Sequence, residues 1–256
     1  MSDQLKRQQV YGLWLSGRSP VETESDALRF MQAVKIALRY NPTPGLPLAS
    51  MYAAAADKRR AVELTNALLV SQDIIETNLI AERLVLAHRS IGSALYTLRK
   101  RHRPATVSVN AERAFALIVN EGHASAGDIR RFMGITGQKR PDAADVALTE
   151  LQRELLVDRG PASIPEKGIP YLSPEGYPYR PFEKAHPDMV RTAGKLSIER
   201  AVCVVVEAYL EAAVFITPRK LASMFKLLFS EGELNSMSSK NIDKQKNCWL
   251  WLRRSE

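Results

Sequence analysis

Residues 110–160 constrain the fold of this chain more tightly than any other stretch. Ala114, Phe115, Ile118 and Val119 are apolar at helical spacing, and Glu121, Gly122 and His123 then interrupt the pattern. Ser125 stands three residues before Asp128, an N-cap pair in which the hydroxyl accepts a free amide and the carboxylate favours the positive helix end. Gly134 and Gly137 close that second helix early, and Pro141 suits the first position of a third, where its missing amide hydrogen costs nothing. Ala144, Leu148, Leu151 and Leu155 mark the third helix's core face, and the chain then runs through Val157 to Gly160. Three short helices with a tight glycine-containing turn, followed by a strand and a Pro-rich excursion, predict a winged helix-turn-helix.

The flanking segments read as further modules. Residues 4–16 predict a helix closed by Gly17, and a second helical pattern from Glu24 carries Leu28, Phe30, Met31, Val34, Ile36 and Leu38. The Pro-rich residues 41–47 form a loop, residues 51–68 are helical, and a long helix is expected over residues 79–99, ending in the basic run Arg99, Lys100, Arg101, His102, Arg103. Residues 161–181 interleave prolines with Tyr171, Tyr177 and Tyr179, which suits a hairpin wing with a long tip. Those tyrosines can pack the wing against its own domain or stack on bases.

A second winged helix is expected over residues 195–256. Glu112, Arg113, Ala114 recurs as Glu199, Arg200, Ala201, and Thr217 with Pro218 repeats the cap of the second central helix. Residues 247–252 would close it as a strand, with Trp249 and Trp251 on one face. The expected fold class is therefore mainly α: tandem winged-helix modules with small β-hairpin wings. A helical, degenerate winged-helix-like region occupies residues 1–105, the central module 106–190 and the last 195–256.

Charge bears on partners. The net charge is +8, yet residues 1–105 carry 15 basic and 9 acidic side chains, residues 106–190 carry 10 and 12, and residues 191–256 carry 11 and 7. The clearest winged helix is thus the least basic part. Arg99, Lys100, Arg101 and Arg103 are the first choices for phosphate contact, although cations at a helix carboxyl end also favour the macrodipole without any ligand. Arg130, Arg131, Lys139, Arg140, Gln152 and Arg153 are the second. Of these, Gln152 and Arg153, with Thr149, would lie on the exposed face of the third helix, where Asp142 and Asp145 repel phosphate.

Several chemistries lack their motifs. His88, His102, His123 and His186 are scattered, and Cys203 and Cys248 form no ligand cluster, so no metal is expected. Neither GxxxxGK[ST], GxGxxG nor a Gly-x-Ser-x-Gly elbow occurs, which leaves catalysis and cofactors without support. The longest apolar run, residues 201–216, contains Glu207 and Glu211 and is too short and charged to span a bilayer; with no leader visible, a cytoplasmic location is expected.

The order Glu121, Gly122, Asp128, Ile129, Arg130, Arg131, then Ala147, Leu148, Thr149, Glu150, Leu151, Gln152, resembles the central winged helix of AlkZ-related proteins. Pro187 with Asp188, and residues 46–49, Leu-Pro-Leu-Ala, are also similar. These are relatives of bacterial DNA glycosylases that excise or unhook alkylated bases, so the resemblance implies tandem winged helices and binding to double-stranded DNA. Catalysis in the glycosylases depends on a glutamine followed one residue later by glutamine or aspartate. Gln32-Ala33-Val34, Gln72-Asp73 and Gln8-Gln9 lack that spacing. Non-catalytic DNA binding is the leading expectation, with the link to repair implied by the resemblance. An alkylated-base glycosylase, with a polar pocket facing Gln32 or Gln72, and a protein-interaction scaffold are the alternatives.

Overall fold

The computed structural model describes residues 3–18, 20–101, 106–137, 140–166, 170, 174–239, 241–244 and 248–251. It is mainly helical, with three small sheets. The first unit runs α1 (Asp3–Leu15), α2 (Glu24–Val34), β1 (Ile36–Leu38), β2 (Ala49–Ser50), α3 (Met51–Ala54), α4 (Lys58–Val70), β3 (Ile74–Ile80), β4 (Arg83–His88) and α5 (Gly92–Lys100). The central unit comprises α6 (Val109–Glu121), β5 (Ala124–Ser125), α7 (Ala126–Met133), α8 (Ala143–Arg153), β6 (Val157–Arg159) and β7 (Pro178–Pro181). Two short helices, α9 (Phe182–Ala185) and α10 (Pro187–Ala193), lead to the last unit. It consists of α11 (Ile198–Ala213), β8 (Phe215–Ile216), α12 (Pro218–Phe225), α13 (Glu231–Ser236), β9 (Ile242–Lys244) and β10 (Trp249–Trp251).

One strand order recurs. In the central sheet the order is β5-β7-β6 and in the last it is β8-β10-β9, so the final strand of each unit lies between the other two. The first unit repeats this as β1-β4-β3, with β2 added in parallel beside β1. Caps set the helix starts. Ser125 and Asp128 form a reciprocal capping box on α7, and Asp142 with Asp145 does the same on α8. Thr217 caps α12 with Pro218 behind it, while Gly122 and Gly134 take left-handed conformations that end α6 and α7. The repeated tripeptide does not mark equivalent positions. Glu112 lies four residues after the Ser108 cap of α6, whereas Glu199 lies two after the Ser197 cap of α11.

Three sequence expectations are corrected. Residues 79–99 are not one helix: β3 and β4 form a hairpin, and only α5 is helical. Every residue of β3 is buried, so the alternation that betrays a half-buried strand is missing. Its two-residue turn, Ala81 and Glu82, has φ of 53° and 52° and lacks the glycine that usually signals such a turn. Ile36 and Leu38 belong to β1 rather than to α2, which ends at Val34 with Lys35 at φ 58°. Pro141 precedes the cap instead of opening α8, because the Asp142 carboxylate captures the amide of Asp145 first. Of the two readings of the tyrosines, packing within their own unit is the one found for Tyr177 and Tyr179, which are buried in the central core; Tyr171 lies outside the described residues.

β6 and β7, expected to form the wing, pair as a hairpin, Asp158 opposite Arg180 and Arg159 opposite Tyr179. Two cores result. The central unit holds its own, built on Ala114, Ile118, Ile129, Leu148 and Leu151. The first and last units share the other, which α9 and α10 join through Phe182 and Met189. Among the described residues, no helix is long and apolar enough to cross a membrane.

Candidate functional site: a polar seam between units

The seam forms because α8 packs on β3 and the wing packs on α4. Asn66 Nδ2 donates to the Ala162 carbonyl at 2.7 Å, and Arg59 Nη1 donates to the carbonyls of Pro165 and Glu166 at 2.9 Å each. The last helix before each hairpin of the first two units, α4 and α8, is therefore occupied by contacts between units. Gln152, expected on an exposed reading face, is buried. Its backbone carbonyl accepts from Thr77 Oγ1 at 3.3 Å, and its Oε1 accepts from Asn78 Nδ2 at 3.5 Å.

Charged side chains of the first and central units meet deep in this seam. Glu76 of β3 takes both Arg39 and Arg159, and all three are buried. Arg39 Nη2 also donates to the Tyr177 hydroxyl at 2.9 Å, while the Arg159 guanidinium lies 4.1 Å from the centre of the Tyr177 ring. In front of these groups is a cavity of about 240 Å³ lined by Tyr40, Asn78, Arg130, Gln152, Arg159 and Tyr179, with exposed Thr149 and Pro141 among its lining residues. Burial raises the pKa of Tyr40, but the fields of Arg159 and Arg39 outweigh it and the net direction is downward. Tyr179, wholly enclosed, moves upward because burial dominates.

The expected phosphate contacts fare differently from one another. Arg99 pairs with Glu154 at the end of α8, Nε to Oε2 at 3.0 Å, and Arg101 pairs with Glu233, Nη2 to Oε2 at 2.9 Å. These cations tie α5 to the other two units, so their first role is structural. Lys100 is exposed, and Arg103 and Lys139 lie outside the described residues. Arg130 is buried against Asp142 and Asp145, at 2.7 and 2.5 Å, and Arg140 joins the same two carboxylates. Arg131 is exposed but bridges Asp128 and Glu175.

Arg153 belongs to a surface group that the sequence does not reveal. Arg153 of α8, Arg83 of the first hairpin and Lys226 after α12 all act on the Glu82 carboxylate, with Lys226 Nζ at 2.8 Å. The hydrogen bond and charge of Lys226 lead in holding Glu82 below the usual carboxylate range, with Arg153 and Arg83 adding to the effect. One cation from each unit thus converges on a single acid. Arg83, Glu82 and Lys226 are exposed, and Ala81 N donates to the Met224 carbonyl at 2.6 Å, docking the hairpin turn onto the last unit.

Periodicity could not find Arg39 or Glu76, since each adjoins an apolar run, nor Arg159, which ends a short strand beside Asp158 and Gly160. A charge inside Ile-Ile-Glu-Thr-Asn-Leu-Ile, residues 74–80, was the available signal. Gln32 and Gln72 are exposed and neither lines the cavity, so the pocket expected to face them is instead built around Gln152. Among the described residues, no group of three or more His, Cys, Asp or Glu side chains could hold a metal. Comparison with protein-family models, with curated proteins and with solved structures finds no significant match for this chain.

Proposed function

We propose that this chain is a non-catalytic, tandem winged-helix protein that binds double-stranded DNA through backbone phosphates. The ion pair of Lys226 with Glu82, a carboxylate on which the charges of Arg153 and Arg83 also act, carries the reading. Three cations and one acid make a cationic patch fed by all three units, and such a patch gains affinity by releasing counterions from DNA. Lys100, exposed at the end of α5, is a further cation available to phosphate. The recurring helix–strand–helix–helix–hairpin order, with the last strand central, supports the winged-helix assignment.

Because α4 and α8 are engaged between units, recognition proceeds through backbone and shape rather than through an inserted helix. Anisotropy of a fluorescent duplex tests the reading, with undamaged and alkylated versions compared at several salt concentrations. Salt-sensitive binding of both supports it, and no binding at low salt refutes it. The polar cavity favours base excision as a second reading. That reading requires release of the modified base from the alkylated duplex, which product analysis detects.

A further inference from the structure

The cavity between the first and central units has unbalanced chemistry. Arg39 and Arg159 share one carboxylate, Glu76, and all three are at most 3% exposed. The other carboxylates around the cavity are already matched. Asp142 and Asp145 face Arg130 and Arg140, and Asp158, beside Arg159 in the strand, faces Arg180 and His186. One positive charge is left uncompensated behind the cavity wall, where an unpaired ion is strongly disfavoured.

Among the residues that line the cavity, hydrogen bonding is unbalanced in the same sense. Gln152 Nε2 and Arg130 Nη1 are buried and have no acceptor among the described residues, and Arg159 Nη2 has none of good geometry, although the Tyr40 hydroxyl lies close enough to act on that guanidinium. All three side chains line the cavity, and each is more than nine-tenths buried. The Asn78 contact to Gln152 Oε1 orients that amide, whose nitrogen is left without a protein acceptor. The downward shift of the Tyr40 phenol reports the same positive field.

We infer that this cavity is a binding site for one oxyanion, a phosphoryl or carboxylate group on a small ligand, held by Arg159, Gln152 and Arg130. Guanidinium forks and an amide donor suit planar or tetrahedral oxygens, and a bound anion supplies both the missing charge and the missing acceptors. Tyr179, Leu84 and Pro141 supply the less polar part of the lining for the ligand's body. The volume lies below the roughly 300–1,000 Å³ of drug-sized pockets, which limits the ligand to a small one. None of Arg83, Lys226 and Glu82 lines the cavity, so the inference stands independently of DNA binding at that patch.

Thermal melts of the full chain test it, using inorganic phosphate in one series and acetate in another, each against chloride at equal ionic strength. Two variants accompany the wild type. Gln152→Leu removes one donor without changing charge; it removes an unsatisfied amide nitrogen but also the long Asn78 contact, so the unliganded melting temperature stays near that of the wild type. Thr149→Trp fills the cavity from an exposed position, so it retains the fold even if Gln152→Leu does not. The expected result is a saturable rise with at least one anion, with apparent affinity at least tenfold weaker in either folded variant. A response to phosphate alone assigns a phosphoryl group, and displacement of phosphate by a short duplex assigns a DNA phosphodiester as its source. No saturable rise with either anion, or equal rises in wild type and variants, overturns the inference, the latter being a general effect of salt on the surface.

Discussion

Arg39 and Tyr177 are 138 residues apart in the chain, yet the guanidinium donates to the phenol at 2.9 Å inside the seam. The bond joins the end of the first unit's β1 to the wing of the central one, beside the shared carboxylate of Glu76. The two units are thereby held by buried polar groups as well as by apolar packing, a geometry that tolerates little rearrangement.

Glu76→Gln should be the most damaging single change in this seam. It leaves two buried guanidiniums without a counter-charge, and a loss of about 3–5 kcal/mol is expected in urea unfolding. Replacing Arg39, Glu76 and Arg159 together with Met, Leu and Met should recover most of that stability. If the triple variant is no more stable than Glu76→Gln, unpaired charge is the wrong explanation.

The capping box of α7 predicts a smaller cost. Ser125 Oγ accepts the amide of Asp128 at 3.0 Å and contacts Glu175 of the wing at 3.0 Å. Ser125→Ala should destabilise by about 0.5–2 kcal/mol. Faster hydrogen exchange at the start of α7 would accompany it, and unchanged exchange there would argue that the cap is dispensable.

Acid should weaken the contact between the first and last units. The Arg101 hydrogen bond holds the Glu233 carboxyl at about 2, below its ordinary 4.5. A carboxyl whose folded pKa is depressed contributes stability that is complete above the ordinary value and is lost as pH falls from 4.5 towards 2. Arg101→Met should flatten the stability profile across that window. An unaltered profile would mean that the pair is broken in solution.

Glu82→Asn should tighten DNA binding. The change removes the acid paired with Lys226 and places a residue tolerant of positive φ in the hairpin turn, where Glu82 has φ 52°. Weaker binding in an anisotropy titration would show that Glu82 positions Lys226 rather than opposing phosphate.

The local structure was legible where a cap or a glycine fixes it. Ser125 with Asp128, Gly122, Gly134 and Thr217 with Pro218 all mark helix ends that the structure contains. The first hairpin was hidden because both faces of β3 are buried and its turn has no glycine. The site was harder to read for another reason. Arg39, Glu76, Gln152 and Arg159 converge only when α8 packs on β3, and no local spacing encodes that contact. The same packing turned Gln152 from an expected surface reader into a buried donor. It also left Arg153 as the central unit's contribution to the patch around Glu82.

Phosphate contact at that patch is the central claim, and the salt dependence of duplex affinity tests it most directly. Wild type and an Arg83→Ala, Arg153→Ala, Lys226→Ala variant would be titrated side by side, with circular dichroism confirming that both are folded. Each phosphate contact adds about 0.9 to the slope of log affinity against log salt. The account predicts that the variant's slope falls by roughly 2 to 3 with weakened binding at every salt concentration. An identical slope and affinity in the two proteins would contradict it.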